Sequence, residues 1–255
     1  MKCLIDNSDM EIWDKCMVLG KYSVDYYKCR KCGIIKTQDP FWLDEAYSDA
    51  ITNSDIGLIS RNIENSYVIS AILNELFPRD GVFLDWGGGY GMFVRMMRDR
   101  GFNFEWYDLF CSNLFAKGFE RKQIEYNAIT AFELMEHLEN PIEILDEMFT
   151  YTDNVIFSTM VYPETVKSAS EWWYFSLETG QHITIYSSES LSAIARKLGK
   201  QYVSCGNYHI MSGRSIDTRV FNQCCNNSRS VNSYYKHKRE SLLTQDYESN
   251  TGKRL

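Results

Sequence analysis

Between residues 82 and 91 the chain reads Val-Phe-Leu-Asp85-Trp-Gly87-Gly-Gly89-Tyr-Gly91, an apolar run that ends on an acid and alternating glycines. Backbone that must turn tightly and admit a ligand has no room for a Cβ, so this pattern predicts a strand entering a helix at a nucleotide-type cofactor. A dinucleotide fingerprint counted from Gly87 and Gly89 needs a glycine at position 92, where the chain has Met. The nicotinamide reading therefore fails. Asp108 ends the short run Phe104-Glu-Trp-Tyr-Asp108, 23 positions after Asp85. Doubly wound sheets place there the acid that accepts hydrogen bonds from ribose hydroxyls. Two further groups could act on an acceptor. Phe132-Glu133-Leu-Met-Glu136-His137-Leu138 follows a predicted strand at 128–132, at the carboxyl edge where open α/β sheets bind ligands. In Gly180-Gln181-His182-Ile-Thr184-Ile-Tyr186, strand alternation sends Ile183 and Ile185 to a core and His182, Thr184 and Tyr186 to the opposite face. A histidine there suits general-base work, because its unperturbed pKa of about 6.5 lies near working pH.

The elements that must position these groups follow from periodicity. Ile63, Val68, Ile69, Ile72, Leu73, Leu76 and Phe77 predict a helix over 61–77, stopped by Pro78. Phe93, Met96 and Met97 lie on a helix ending at Gly101, and Asn140-Pro141-Ile-Glu143 is an N-cap, an N1 proline and a capping-box acid that open a helix through Phe149. Val155 to Thr159 is a strand, and Leu191, Ile194 and Leu198 mark a helix capped at Ser187 or Ser188 and closed by Gly199. Alternation of this kind predicts an α/β fold with a mostly parallel sheet covered on both faces. Residues 213–255 read as a polar tail, with 8 Lys/Arg against 4 Asp/Glu from Arg214 onward. That composition predicts a loosely ordered, solvated segment, with an anionic or oligomer contact as the sharper reading.

The 255 residues, 44% hydrophobic and 15% aromatic, can fill one sizeable core with an accessory piece. A net charge of -7 disfavours a broad hold on nucleic-acid phosphates. No apolar run reaches the length of a membrane span, and the first residues lack a signal peptide's apolar region, so a cytoplasmic protein is expected. Reduced thiols in that setting point to metal rather than disulfides among the eight cysteines. Residues 1–40 resemble a small zinc ribbon through the knuckle Cys29-Arg-Lys-Cys32-Gly33, with Val24, Tyr26 and Tyr27 suggesting a strand. The partner half has Cys3, but Asp6 stands where a second cysteine is wanted. With a turn near Gly20, Cys16 would lie on the order of 13 Å along the strand from Cys29, so the expected ligand set is Cys3, Asp6, Cys29 and Cys32.

From the ribbon to about residue 212 the chain resembles the class I S-adenosylmethionine (SAM) methyltransferases. Asp85, Gly87, Gly89 and Gly91 are similar to their first motif, and the 61–77 helix to the extra helix that precedes their first strand. The resemblance implies a Rossmann-like domain over 41–212 with a seven-stranded sheet, and SAM held by those four residues, Asp108 and Glu133. The Glu133, Glu136, His137 string is similar to a segment of ubiquinone-pathway and sugar-type members, which implies Glu133 beside the cofactor and His137 facing the acceptor. Gly180-Gln181-His182 resembles a segment of members associated with surface-polysaccharide loci, implying a sugar-type small-molecule acceptor. Expected catalytic residues are His182, His137 and Tyr186. The long C-terminal domain of sugar C-methyltransferases is missing, which favours oxygen or nitrogen as the methylated atom. Glu133, Glu136, His137 and His182 also resemble the set with which small-RNA 2′-O-methyltransferases hold Mg²⁺ or Mn²⁺, a lesser alternative beside structural zinc. The other rivals are a nucleic-acid methyltransferase using the ribbon as a clamp, disfavoured by the acidic charge and by Ala131-Phe-Glu-Leu in place of a Pro-Pro-aromatic motif, and a non-catalytic SAM-binding module in a glycan-assembly complex.

Overall fold

A computed structural model describes residues 1–47, 56–235 and 238–255. The chain opens with a hairpin of β1 (Met10–Val18) and β2 (Tyr22–Cys29), followed by β3 (Ile35–Thr37) and a short helix α1 (Leu43–Ala46). Met10 pairs with Cys29 and Val18 with Tyr22, with a register shift between Ile12 and Asp14. The shift bends the strand at Trp13, whose ring stacks on Phe175 at 5.6 Å.

Helix α2 (Leu58–Leu76) buries Val68, Ile69, Ile72 and Leu73, and ends where Phe77 turns extended ahead of Pro78. Then come β4 (Val82–Trp86), α3 (Met92–Asp99), β5 (Asn103–Tyr107), β6 (Ala128–Phe132), α4 (Pro141–Phe149) and β7 (Asn154–Ser158). The remainder is β8 (Thr184–Ile185), α5 (Ser188–Lys197), β9 (Gln201–Cys205), β10 (Tyr208–Ser212), α6 (Thr218–Asn226), α7 (Ser228–Tyr235) and α8 (Leu243–Thr251). The main sheet has the order β5-β4-β6-β7-β10-β9, with the first four strands parallel and β10 antiparallel to both neighbours. It holds six strands among the described residues, not the seven expected, and outside β5 there is an isolated parallel bridge from Trp106 to Glu120 in place of a strand; the Gly180 to Tyr186 run lies elsewhere. Its strand β8 pairs with β3 and completes a second, four-stranded sheet, β1-β2-β3-β8. The strand order reverses at β4, with β5 on one side and β6 on the other, and the carboxyl ends of the strands at such a switch point are where these sheets take ligands.

The C-terminal segment differs from its sequence reading. Three helices form there, and Phe221, Cys224 and Val231 enter the same core as Ile69 and Ile72 of α2. Asp217 caps α6 by accepting from the N–H groups of Arg219 and Val220. Helix α8 is fastened by a buried ion pair, in which Arg98 of α3 donates to both oxygens of Asp246 at 2.6 and 2.8 Å while lying 3.7 Å over the Phe119 ring. Asp246 is only 2% exposed. Removing its carboxylate strands the Arg98 charge. Asp246→Ala is therefore expected to lower unfolding free energy by about 3–5 kcal/mol, read from the urea midpoint; a loss below about 1 kcal/mol would mean that α8 is not docked in solution.

Candidate active site

The glycine loop joins β4 to α3 and closes on itself through Asp108. Gly89 N–H donates to Asp108 Oδ2 at 2.9 Å, while Asp108 Oδ1 accepts from the N–H groups of Phe110 and Cys111 at 2.8 and 2.7 Å. Trp106 Nε1 donates to the Gly89 carbonyl at 2.9 Å. Two glycines show why the sequence spaces them so. Gly91 has φ +85° and a Cβ there would lie 2.6 Å from Asn113 Oδ1, so the helix start has no room for a side chain. Gly89 has φ +53° and its missing Cβ would project into open space beside Asp108. Asp85 sits beneath the loop, 3% exposed, and accepts from Thr130 Oγ1 at 2.6 Å. Burial pushes its carboxyl up to about 7, with Asp108's charge adding and the Thr130 bond opposing. Asp85 thus underpins the loop that Gly87, Gly89 and Asp108 present.

Across the crevice, Glu133 leaves β6 at φ +48°, a left-handed conformation that costs a residue with a Cβ on the order of 1–3 kcal/mol. Ser158 at the end of β7 holds it there, accepting from Glu133 N–H at 3.1 Å and donating to its Oε1 at 2.7 Å. Burial and the neighbouring Glu136 push Glu133 up to about 7, against the pull of Ser158, Arg61 and His182.

The next turn, Met135–His137, is fastened to β8. Ile183 N–H donates to the Glu136 carbonyl at 2.9 Å, Thr184 Oγ1 to the Leu138 carbonyl at 2.7 Å, and Tyr186 OH to the Met135 carbonyl at 2.7 Å. Tyr186 is fully buried, and burial raises its phenol well above the ordinary value. This corrects its expected catalytic role: its hydroxyl is spent on the turn. Thr184 likewise faces the turn rather than open space. Glu136 is fully buried and accepts from Tyr174 OH at 2.7 Å on Oε1, while Oε2 has no hydrogen-bond partner among the described residues. A buried carboxylate oxygen left unpaired is a demand for a donor. Donor atoms of Glu136, His137 and His182 lie within 4.8 Å of one another, and the two imidazoles meet edge to face at 4.8 Å. His182 Nδ1 lies 2.5 Å from the Tyr174 carbonyl. A carbonyl only accepts, so Nδ1 carries the proton and the Nε2 lone pair is left to act as a base. His137 Nδ1 is 2.8 Å from Tyr47 OH.

At the other end of the second sheet, the thiols of Cys3, Cys29 and Cys32 converge, with Cys3 and Cys32 sulfurs 3.6 Å apart. Both Asp6 oxygens lie 4.0 Å from Cys29 Sγ, and Ser8 Oγ is 3.3 Å from the same sulfur. Cys16 is turned away and donates to Asp14 at 3.1 Å.

A family profile for the methyltransferase domain matches residues 61–204, more than half of the chain. The chain belongs to the methyltransferase domain family. No curated protein sequence matches this methyltransferase. Solved structures similar to it in fold include CalO1, a methyltransferase in calicheamicin biosynthesis with SAH bound, at 16% identity over 65% of this chain and 59% of that one, TM-score 0.43. Magnesium protoporphyrin IX methyltransferase from Synechocystis PCC 6803, with SAH, aligns at 14% identity over 66% and 90%, TM-score 0.46. The plantazolicin methyltransferase BpumL, with SAH, aligns at 11% identity over 76% and 90%, TM-score 0.47. The chain spans about three fifths of the length of CalO1. The crevice fits the SAM of a methyltransferase on its own chemistry. Gly89 leaves space that any side chain would fill, Asp108 retains acceptor capacity for ribose hydroxyls after three N–H bonds, and Glu133 offers a carboxylate to a cation.

Of these contacts, sequence reasoning missed Thr130, Ser158, Tyr174, Tyr47 and Trp106. Thr130 and Ser158 sit in predicted strands next to the named acids, which was the available signal. Asp85 supplies a test with a defined sign. Its folded carboxyl titrates near 7 against an ordinary value several units lower, so stability is greatest at the acid end of that window and is lost as pH rises through about 7. Asp85→Asn removes this, so its melting temperature minus that of wild type should grow from pH 5 to pH 8, and the subtraction cancels other groups such as His209, which burial holds down near 4. A gap independent of pH would contradict the buried, proton-retaining Asp85.

Proposed function

We propose that this methyltransferase transfers the methyl group of SAM to a hydroxyl, or an amine, of a sugar or sugar-nucleotide acceptor. The carrying observation is the unpaired Glu136 Oε2 set beside His137 and His182 at the carboxyl edge of the sheet, across from the glycine loop. Bound SAM supplies the electrophilic methyl and its own leaving group. What the chain must add is alignment and a place for a proton. The acceptor hydroxyl donates to His182 Nε2, whose Nδ1 is tied to the Tyr174 carbonyl, and gives that proton up as its oxygen is methylated, while the buried Glu136 carboxylate within 4.8 Å favours the imidazolium that forms. His137, oriented by Tyr47 and edge to face with His182, is the alternative base. The sugar class rests on the resemblance of the Gly180-Gln181-His182 segment.

The test is methyl transfer to a panel of sugar nucleotides, followed by mass analysis of the products. His182→Ala should lower kcat by roughly 10²-fold or more with SAH affinity unchanged. Full turnover at neutral pH in both His182→Ala and His137→Ala would overturn the assignment of the base. The same cluster supports a second reading, in which Glu136, His137 and His182 hold Mg²⁺ or Mn²⁺ against the acceptor hydroxyls. Activity abolished by EDTA and restored by Mg²⁺ would favour that reading over the histidine base.

For the N-terminal sheet we propose a structural zinc held by Cys3, Cys29, Cys32 and Asp6. The three converging thiols support this reading, and Asp6, whose oxygens lie 4.0 Å from the Cys29 sulfur, is the fourth ligand it needs. Metal analysis of purified protein should give close to one zinc per chain, reduced sharply in Cys32→Ser; a stoichiometry near zero would remove the metal.

A further inference from the structure

The basic C-terminal segment has no part in the active site, yet it builds a cavity of its own. Between α2, α7 and the Arg100 to Phe102 link lies a space of about 440 Å³, within the usual range for small-molecule sites. Arg100 and Phe102 precede β5, so the cavity borders the amino-terminal edge of the main sheet, whereas the glycine loop and Glu133 follow its carboxyl ends. Five-residue β5 alone separates the two edges by roughly 16 Å.

Three guanidinium groups line this cavity in a chain whose net charge is -7. Arg100 lies 4.0 Å over the Tyr67 ring and has no carboxylate partner among the described residues. A guanidinium stacked on a ring keeps its in-plane N–H groups directed outward, the geometry that receives phosphate oxygens in pairs. Arg229 approaches the same ring at 4.9 Å, and its one carboxylate partner is Glu64 at 2.9 Å, an exposed pair that solvent screens. Arg239 is fixed by Asn74 Oδ1 and the Arg79 carbonyl at 2.8 and 2.7 Å, neutral groups that leave its charge unbalanced. Burial and the nearby Arg79 guanidinium hold Arg239 below the ordinary guanidinium value. The one acid in the lining, Asp99, is already taken by Arg95 at 2.8 Å.

We propose that this cavity is a second ligand site, which binds a phosphorylated small molecule through Arg100 and Arg229 with Arg239 supplying background charge. Its volume suits a compact phosphate or diphosphate group rather than a nucleic-acid strand. Calorimetric titration of the full chain with inorganic pyrophosphate tests it, with and without saturating SAH. One site is expected, unaffected by SAH, and weakened roughly tenfold or more in Arg100→Gln and in Arg229→Gln. Arg229 is two-thirds exposed, so its variant decides the matter if Arg100→Gln fails to fold. The proposal is overturned if pyrophosphate gives no binding at millimolar concentration, if the variants bind as wild type does, if SAH displaces the anion, or if single-stranded RNA competes it off and binds more tightly.

Discussion

The three hydrogen bonds from Ile183, Thr184 and Tyr186 to the carbonyls of Glu136, Leu138 and Met135 are the contact on which the acceptor side depends. Each is worth on the order of 1 kcal/mol net, but together they fix the register between a turn at the end of β6 and a strand that belongs to a different sheet. That strand is held on its other edge by β3, so the N-terminal hairpin, the His182 segment and the Glu136 turn form one connected unit. The hairpin's influence on the site needs no contact with the ligand. It acts by setting where His182 stands relative to His137.

A second constraint is electrostatic. Glu133 and Glu136 are neighbouring carboxyls in little water, and burial with Glu136's charge pushes Glu133 up to about 7; Asp85, beneath the glycine loop, is raised in the same way with Asp108 as its charged neighbour. In the absence of a cation this arrangement is destabilising, and the strained φ of Glu133 adds to it. Such strain gathers where a ligand is to be met. A cofactor carrying positive charge would relieve the repulsion, which links the choice of acids to the choice of SAM.

Much of this was legible in the sequence, for reasons that differ between residues. The glycine spacing specifies backbone conformations, and a backbone requirement is local, so Gly89 and Gly91 could be read directly. Asp108 follows from strand length, and the carboxyl-edge rule places Glu133 at the rim of the sheet, while a role beside the cofactor is what the family resemblance implies. That Cys3 meets Cys29 and Cys32 was legible because a knuckle of known spacing needs a partner of known spacing. What could not be read was the pairing of distant segments. Alternation placed Tyr186 with His182 on one face but could not say that β8 would leave the main sheet, so the phenol meets Met135 instead of an acceptor. Tyr174 reaches Glu136 across 38 residues with no periodic signal. The C-terminal helices were hidden because their buried apolar residues, Phe221, Cys224 and Val231, are scattered among polar neighbours, and their anchor is an ion pair between Arg98 and Asp246, 148 positions apart.

The central claim is that one crevice joins the glycine loop to the Glu136, His137 and His182 cluster, so that the methyl carried at the first is delivered to an acceptor at the second. A crystal structure of the protein with SAH bound tests this most directly. The ribose hydroxyls should lie on Asp108 with the sulfur turned toward His182 and Glu136. A sulfur pointing away from both residues, or SAH seated anywhere but beside Gly89, would contradict the account.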